Sequence, residues 1–367
     1  AGLSAALAMA ASLALLQDGI SLNGHYAAGL WHAHEMLFGY TAAVIAGFLL
    51  TAVRNWTGMD TPTGIALGSL AGLWVAARIA PFLPLPATLV AAVDIAFFPA
   101  LALGLLRPLW RGKNRANRVF LVLLAAMTLA ALLVQLQTLG IAEGTAARGT
   151  RLMLDSALLT LMIVAGRVMP FFSERAVPGS TPTTRPWIER LTFALATAGV
   201  IVNLMAPWSA PAGVIALALS ATQAARLAGW HDRRAWGIPI LAVLYAGYLW
   251  LVLGFALDGL AGLGLLPPFP SLHALTVGAV GVFTLGMMAR VTRGHTGREM
   301  RSSTLTNIAF VLVNLAALVR VGATLLLPAA YPIFIQVSGV LWTLAFGLFL
   351  WVYAPMLIAP RPDGRPG

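Results

Sequence analysis

The chain has no cysteine. Disulfides, iron–sulfur ligation and thiolate metal sites are therefore excluded, and a protein-bound metal must use histidine, methionine, carboxylate or backbone oxygen. Charge is scarce as well: 10% of the 367 residues are charged, and only 12 are acidic. A soluble domain carries about 25% charged residues. The HExxH, P-loop and GxGxxG patterns are also missing, so nothing points to ATP hydrolysis or nicotinamide binding.

What remains is apolar. Hydrophobic residues make up 59% of the chain and the mean hydropathy is +0.86. A membrane-spanning helix needs about 20 mostly apolar residues. Twelve such runs are expected, near 2–17, 31–53, 63–83, 87–106, 117–139, 150–170, 187–207, 210–230, 236–258, 272–292, 303–327 and 331–357. The joints are rich in Pro and Gly, as in "APFLPLP" (80–86) and "LPPFPS" (266–271), and are expected to interrupt the helices. No linker is long enough to divide the chain. The sequence thus reads as an all-α, twelve-span bundle forming a single polytopic domain over residues 1–367. Its start inside an apolar run reads as a trimmed N-terminus.

The net charge of +11 is spread over short joints, which argues for topology and lipid contact and against nucleic acid. Joints after even-numbered spans, with the adjoining helix ends and the tail, hold 19 of the 23 basic residues; Arg78, Arg148, Arg151 and Arg320 lie on the other side. The positive-inside rule then places both termini in the cytoplasm. "WHAHE" (31–35), at the start of span 2, and His273, at the start of span 10, should both lie near the outer face. Aligning His34 with His273 also matches Gly39 with Gly278, Gly47 with Gly286, Arg54 with Arg293 and Thr57-Gly58 with Thr296-Gly297. This is compatible with a bundle built of four-span repeats.

Ionisable groups inside a span are costly and need a reason. Two helical positions two apart point about 200° apart, so His32 and His34 cannot both ligate one metal from a regular helix. On an α-helix His32 would share a face with Glu35 and Met36, and His34 with Phe38 and Thr41. Gly39, Ala43 and Gly47 in span 2, and Ala274, Gly278, Gly281 and Gly286 in span 10, form stripes that would admit a backbone or a flat ligand. Imidazole ligates haem iron, so one of His32 and His34 is expected to meet iron opposite His273. The plainer reading is interfacial histidines beside a helix-packing seam. His295 is about 33 Å along the helix from His273, so it marks a separate site or a headgroup contact. Arg78, Arg151 and Arg320 are candidate partners for haem propionates, and an interhelical pair with Asp94 or Asp155 is an equal alternative. Arg151 and Asp155 can also pair within one helix.

The segments "HAHEMLFGY" (32–40), "AGFLLTAVRNWTG" (46–58), "GRVMPFF" (166–172) and "HALTVGAVGVFTLGMMARVTRGHTG" (273–297) resemble the NnrS family over essentially the whole chain. The resemblance implies a multi-pass bacterial inner-membrane protein with haem b and copper, associated with nitric oxide metabolism and tolerance of nitrosative stress. It places His32, His34, Glu35, His273 and His295 on motif positions as candidate metal residues, without dividing them between metals. Arg54 departs from the proline expected before "NWTG". A weaker architectural similarity links the chain to haem–copper oxidase catalytic subunits, which also carry haem histidines on spans 2 and 10. In that comparison His32, with Met36 four residues on, is favoured over His34. The histidines such enzymes use for copper in span 6 and after span 7 have no counterpart here. A transporter, with the buried outer charges forming a substrate path and histidines shuttling protons, is the alternative function.

Overall fold

Long apolar runs with few charges leave the backbone no partner but itself, and helices result. The computed structural model describes residues 1–18 and 25–364; Arg365, one of the residues counted for topology, lies outside them. The helices are α1 Gly2–Asp18, α2 Ala28–Thr57, α3 Gly64–Phe82, α4 Ala87–Arg111, α5 Arg115–Thr138, α6 Thr145–Ala176, α7 Pro186–Met205, α8 Ala210–Trp230, α9 Pro239–Gly262, α10 Pro268–His295, α11 Thr304–Leu326 and α12 Tyr331–Ile358. Among the described residues, α2 to α12 are eleven helices long and apolar enough to cross a membrane, and α1 is a shorter apolar helix. A helical membrane bundle is therefore the architecture.

The proline joints act unequally. Near "APFLPLP" a 3₁₀ turn, Ala80–Phe82, closes α3 before α4 begins at Ala87. In "LPPFPS", by contrast, α10 starts at Pro268, earlier than expected, because proline at the first helical position loses no hydrogen bond. Helix α6 runs through Pro170 to Ala176.

Two helices are not α-helical throughout. In α2 a π-helix spans Glu35–Thr41, and in α10 a π-helix spans Ala274–Val282. Each begins one residue after the histidine of the alignment above, His34 and His273. A π turn is wider than an α turn and is frequent at functional sites. It also frees carbonyls: in α2 Thr41 Oγ1 donates to Met36 O at 2.8 Å, and Trp74 Nε1 to Gly39 O at 3.1 Å.

Contacts divide the chain into two units. The first comprises Ala1 and residues 11–160, and its polar centre lies among α2, α3, α4 and α5. The second comprises residues 2–10 and 161–367. A buried polar network there centres on Arg226 of α8. Arg226 Nε and Nη2 donate to the two carboxylate oxygens of Glu189 at 2.8 and 2.9 Å. Nη1 donates to Gln223 and to Tyr248, and Nη2 also to Met162 O at 3.0 Å. Arg226 is among the basic residues counted for the positive-inside split, yet it is only 4% exposed. Gly166 of the "GRVMPFF" segment makes this possible, since a Cβ there would lie 2.2 Å from Arg226 Nη2. Gly166→Ala should therefore displace the guanidinium and lose charged hydrogen bonds worth about 1.5–3 kcal/mol each. The expected result is a clearly lowered melting temperature by tryptophan fluorescence in detergent, and an unchanged value would contradict this packing.

Candidate functional site

In α2 the two histidines lie in regular helix, before the π segment, and diverge as their spacing requires. His32 turns to α1, its Nδ1 2.9 Å from Ser12 Oγ. His34 turns inward and is fully buried. Its Nε2 is 3.0 Å from Asp94 Oδ2 and its Nδ1 is 3.3 Å from Glu35 Oε1. The ring is stacked between Tyr26 and Phe38, with centroids at 4.8 and 4.7 Å.

Arg78 of α3 closes the group. Its Nη1 donates to Glu35 Oε1 at 2.8 Å and its Nη2 to Asp94. Gln135 of α5 donates from Nε2 to Asp94 Oδ2 at 2.8 Å and to the Tyr26 hydroxyl at 2.6 Å. His25 reaches the same Gln135 through Oε1 at 3.2 Å; this histidine lies outside the spans, and burial pushes its pKa down. Gly39 lets the ion pair lie against the helix, since a Cβ there would meet Glu35 Oε2 at 3.0 Å and Arg78 Cδ at 3.4 Å.

Glu35 joins His34 rather than His32. The expected sharing of a face by His32 and Glu35 assumed α geometry, and the π segment begins at Glu35. A carboxylate only accepts, so His34 Nε2 donates to Asp94, while its Nδ1 faces both Glu35 Oε1 and, at 3.4 Å, Arg78 Nη1. The tetrad of Glu35, Asp94, Arg78 and His34 thus sets two carboxylates against a guanidinium and an imidazole. Such a buried group is satisfied only as a whole.

His273 stands elsewhere, in the second unit. Its Nδ1 donates to Phe269 O at 2.8 Å, which leaves the ring's lone pair on Nε2. The His273 ring stacks on Phe269 at 5.1 Å, and Arg320 Cζ lies 5.7 Å from the Phe269 ring and 5.2 Å from the Tyr331 ring. The structure thus brings His273 and Arg320 together about Phe269. Arg151 is taken by Asp155, at 3.0 Å within α6. His295 is exposed at the end of α10, where its carbonyl accepts from Arg361.

The small-residue stripe of α10 is not an open slot. A Cβ at Gly278 would meet Trp250 at 2.7 Å, at Gly281 Trp342 at 2.4 Å, and at Gly286 Val243 at 2.6 Å. Neighbouring aromatic and branched side chains fill it. In α2 the stripe is broken by the π turn: Gly39 faces the ion pair and Gly47 faces open space. Among the described residues no group of three or more His, Cys, Asp or Glu is placed to hold a metal.

Tyr26 and Gln135 are uncharged and stand in no motif, so the sequence carries no signal for their part in the site. Taken each in its own unit, His32 and His273 are oriented through Nδ1, the arrangement of a metal-bound imidazole. It does not hold at His34, whose two nitrogens are both directed at carboxylates beside a guanidinium. Breaking one partner of a buried ion pair costs about 3–5 kcal/mol. Asp94→Asn and Arg78→Met should each lower stability by that order. The double variant should lose much less than the sum, because both changes break the same Arg78–Asp94 pair. Additive losses in thermal unfolding would contradict the coupling.

No curated protein matches the chain significantly. A family model described as "NnrS protein" matches residues 1–361, essentially the whole chain, as the motif segments implied. A multi-pass helical bundle with these segments in place along it thus belongs to the NnrS family.

Proposed function

We propose that this protein is a haem-binding protein of the bacterial inner membrane that acts in nitric oxide metabolism or in protection from nitrosative stress. The family supports the setting. The observation that carries the site is the contrast among the three histidines that open α2 and α10. His34 is consumed by carboxylates, whereas His32 and His273 are each oriented through Nδ1, as metal-bound imidazoles are.

In this reading His32 and His273 supply iron ligands. Arg320, in the same aromatic cluster as His273, takes a propionate. The haem would supply an iron that binds nitric oxide. The protein's own residues orient imidazole, hold carboxylate and keep the interior dry. Glu35, proposed from the family motif as a metal residue, acts instead as a member of the tetrad that fixes the start of α2. Copper is carried by the family resemblance alone, and neither His295 nor any other described residue is assigned to it here.

The buried charges also bear on the transporter alternative. Arg78, Arg151 and Arg226 each hold a carboxylate at hydrogen-bonding distance, which supports locks between and within helices rather than a substrate path.

An absorption spectrum of the purified protein tests the reading. A Soret band is expected, and His32→Ala and His273→Ala should each lower it, per protein, by roughly tenfold or change its ligand signature. Arg320→Gln should weaken haem retention by about tenfold, the value of one charged hydrogen bond. His34→Gln should destabilise the fold while leaving the ligand signature of the remaining haem intact. No Soret band after expression with adequate haem would reject the function, and a band altered only by the His34 variant would reject the ligand assignment.

A further inference from the structure

Among the described residues three arginines are less than one-tenth exposed: Arg151, Arg226 and Arg290. The first two hold carboxylates. Arg290 of α10 does not. Its Nη1 is buried without a hydrogen-bond partner, and its close contact is the ring of Phe172, 3.9 Å from Cζ. Glu174, two residues beyond Phe172 on α6, is exposed and makes no ion pair with it among the described residues. A guanidinium cannot shed its charge. A ring face attracts a cation but accepts none of the hydrogen bonds that its edge offers. An intramembrane cation in this state calls for an anion the chain itself does not provide.

Place and chemistry narrow the anion. Arg290 is five residues from the end of α10 at His295, about 7.5 Å along the axis, comparable with the roughly 5–8 Å of headgroup layer on each side of a bilayer. Arg293 and Arg167 stand on the same ends of α10 and α6 and add positive potential. The planar fork of arginine matches carboxylate and phosphate oxygens. We infer that Arg290, backed by Phe172, anchors the oxyanion of a bound amphiphile. Two sources carry that chemistry: the phosphate of an anionic phospholipid, or the carboxylate of a free fatty acid. The proposed haem is not a third, because Arg290 lies 17 residues, about 25 Å, from His273 along α10.

The test uses the full chain purified in mild detergent, with Arg290→Met and Arg290→Lys. Native mass spectrometry reads bound phospholipid and bound fatty acid. Wild type is expected to carry one of the two, with Arg290→Met reducing it at least tenfold and Arg290→Lys retaining part. Loss of phospholipid identifies the phosphate source, and loss of fatty acid identifies the carboxylate. If Arg290→Met does not fold, stripped wild type is placed in phosphatidylcholine nanodiscs with or without phosphatidylglycerol, and with or without added oleate. A higher melting temperature with either anion is expected. The inference is overturned by Arg290→Met retaining both adducts at wild-type levels, or by wild type carrying neither and gaining nothing from either anion.

Discussion

The buried contact between His34 and its two carboxylates constrains the first unit more than any other interaction. Four ionisable groups in an apolar bundle are tolerable only if each meets its complement, and Glu35, Asp94, Arg78 and His34 do so across α2, α3 and α4. Several local features follow from that requirement. Residue 39 must be glycine-sized, because the Glu35–Arg78 pair lies against it. The π turn begins at Glu35 and carries its carboxylate to the His34 side. Tyr26 and Phe38 sandwich the imidazole, and Gln135 completes Asp94. His32, two residues earlier, is thereby turned the other way.

The second unit solves the same problem with different residues. Arg226 sits against Gly166 and spends its hydrogen bonds on Glu189, Gln223, Tyr248 and a backbone carbonyl. Each unit therefore has a buried arginine at its polar centre, with a glycine making room for it. Arg290 departs from this pattern, and the departure gives it meaning: among the described residues the other fully buried arginines hold carboxylates, and an arginine held by a ring marks a place for something else.

Much of this was legible in the sequence, and the physical reasons are specific. Hydropathy located the helices, since length and apolarity suffice in a membrane. Helical spacing correctly sent His32 and His34 apart, and charge pairing correctly made Asp94 and Asp155 candidate partners of arginine. The π segments were not legible, because their residues have the same composition as ordinary α-helix, and the expected pairing of Glu35 with His32 failed with them, while that of His34 with Phe38 held. The glycine stripe of α10 misled for a related reason. Spacing shows that a neighbour can approach; it does not show that Trp250 and Trp342 already have. The Arg226 network was hidden because positive-inside counting assigns basic residues near helix ends to the surface.

The central claim is that carboxylate pairing withdraws His34 from metal chemistry and leaves His32 and His273 to it. The most direct measurement is a cryo-electron microscopy structure of the purified, haem-loaded protein. The account predicts His34 within hydrogen-bond distance of Asp94 and Glu35, and iron on His32, His273 or both. Iron on His34, with Asp94 and Glu35 turned away from the ring, would contradict it.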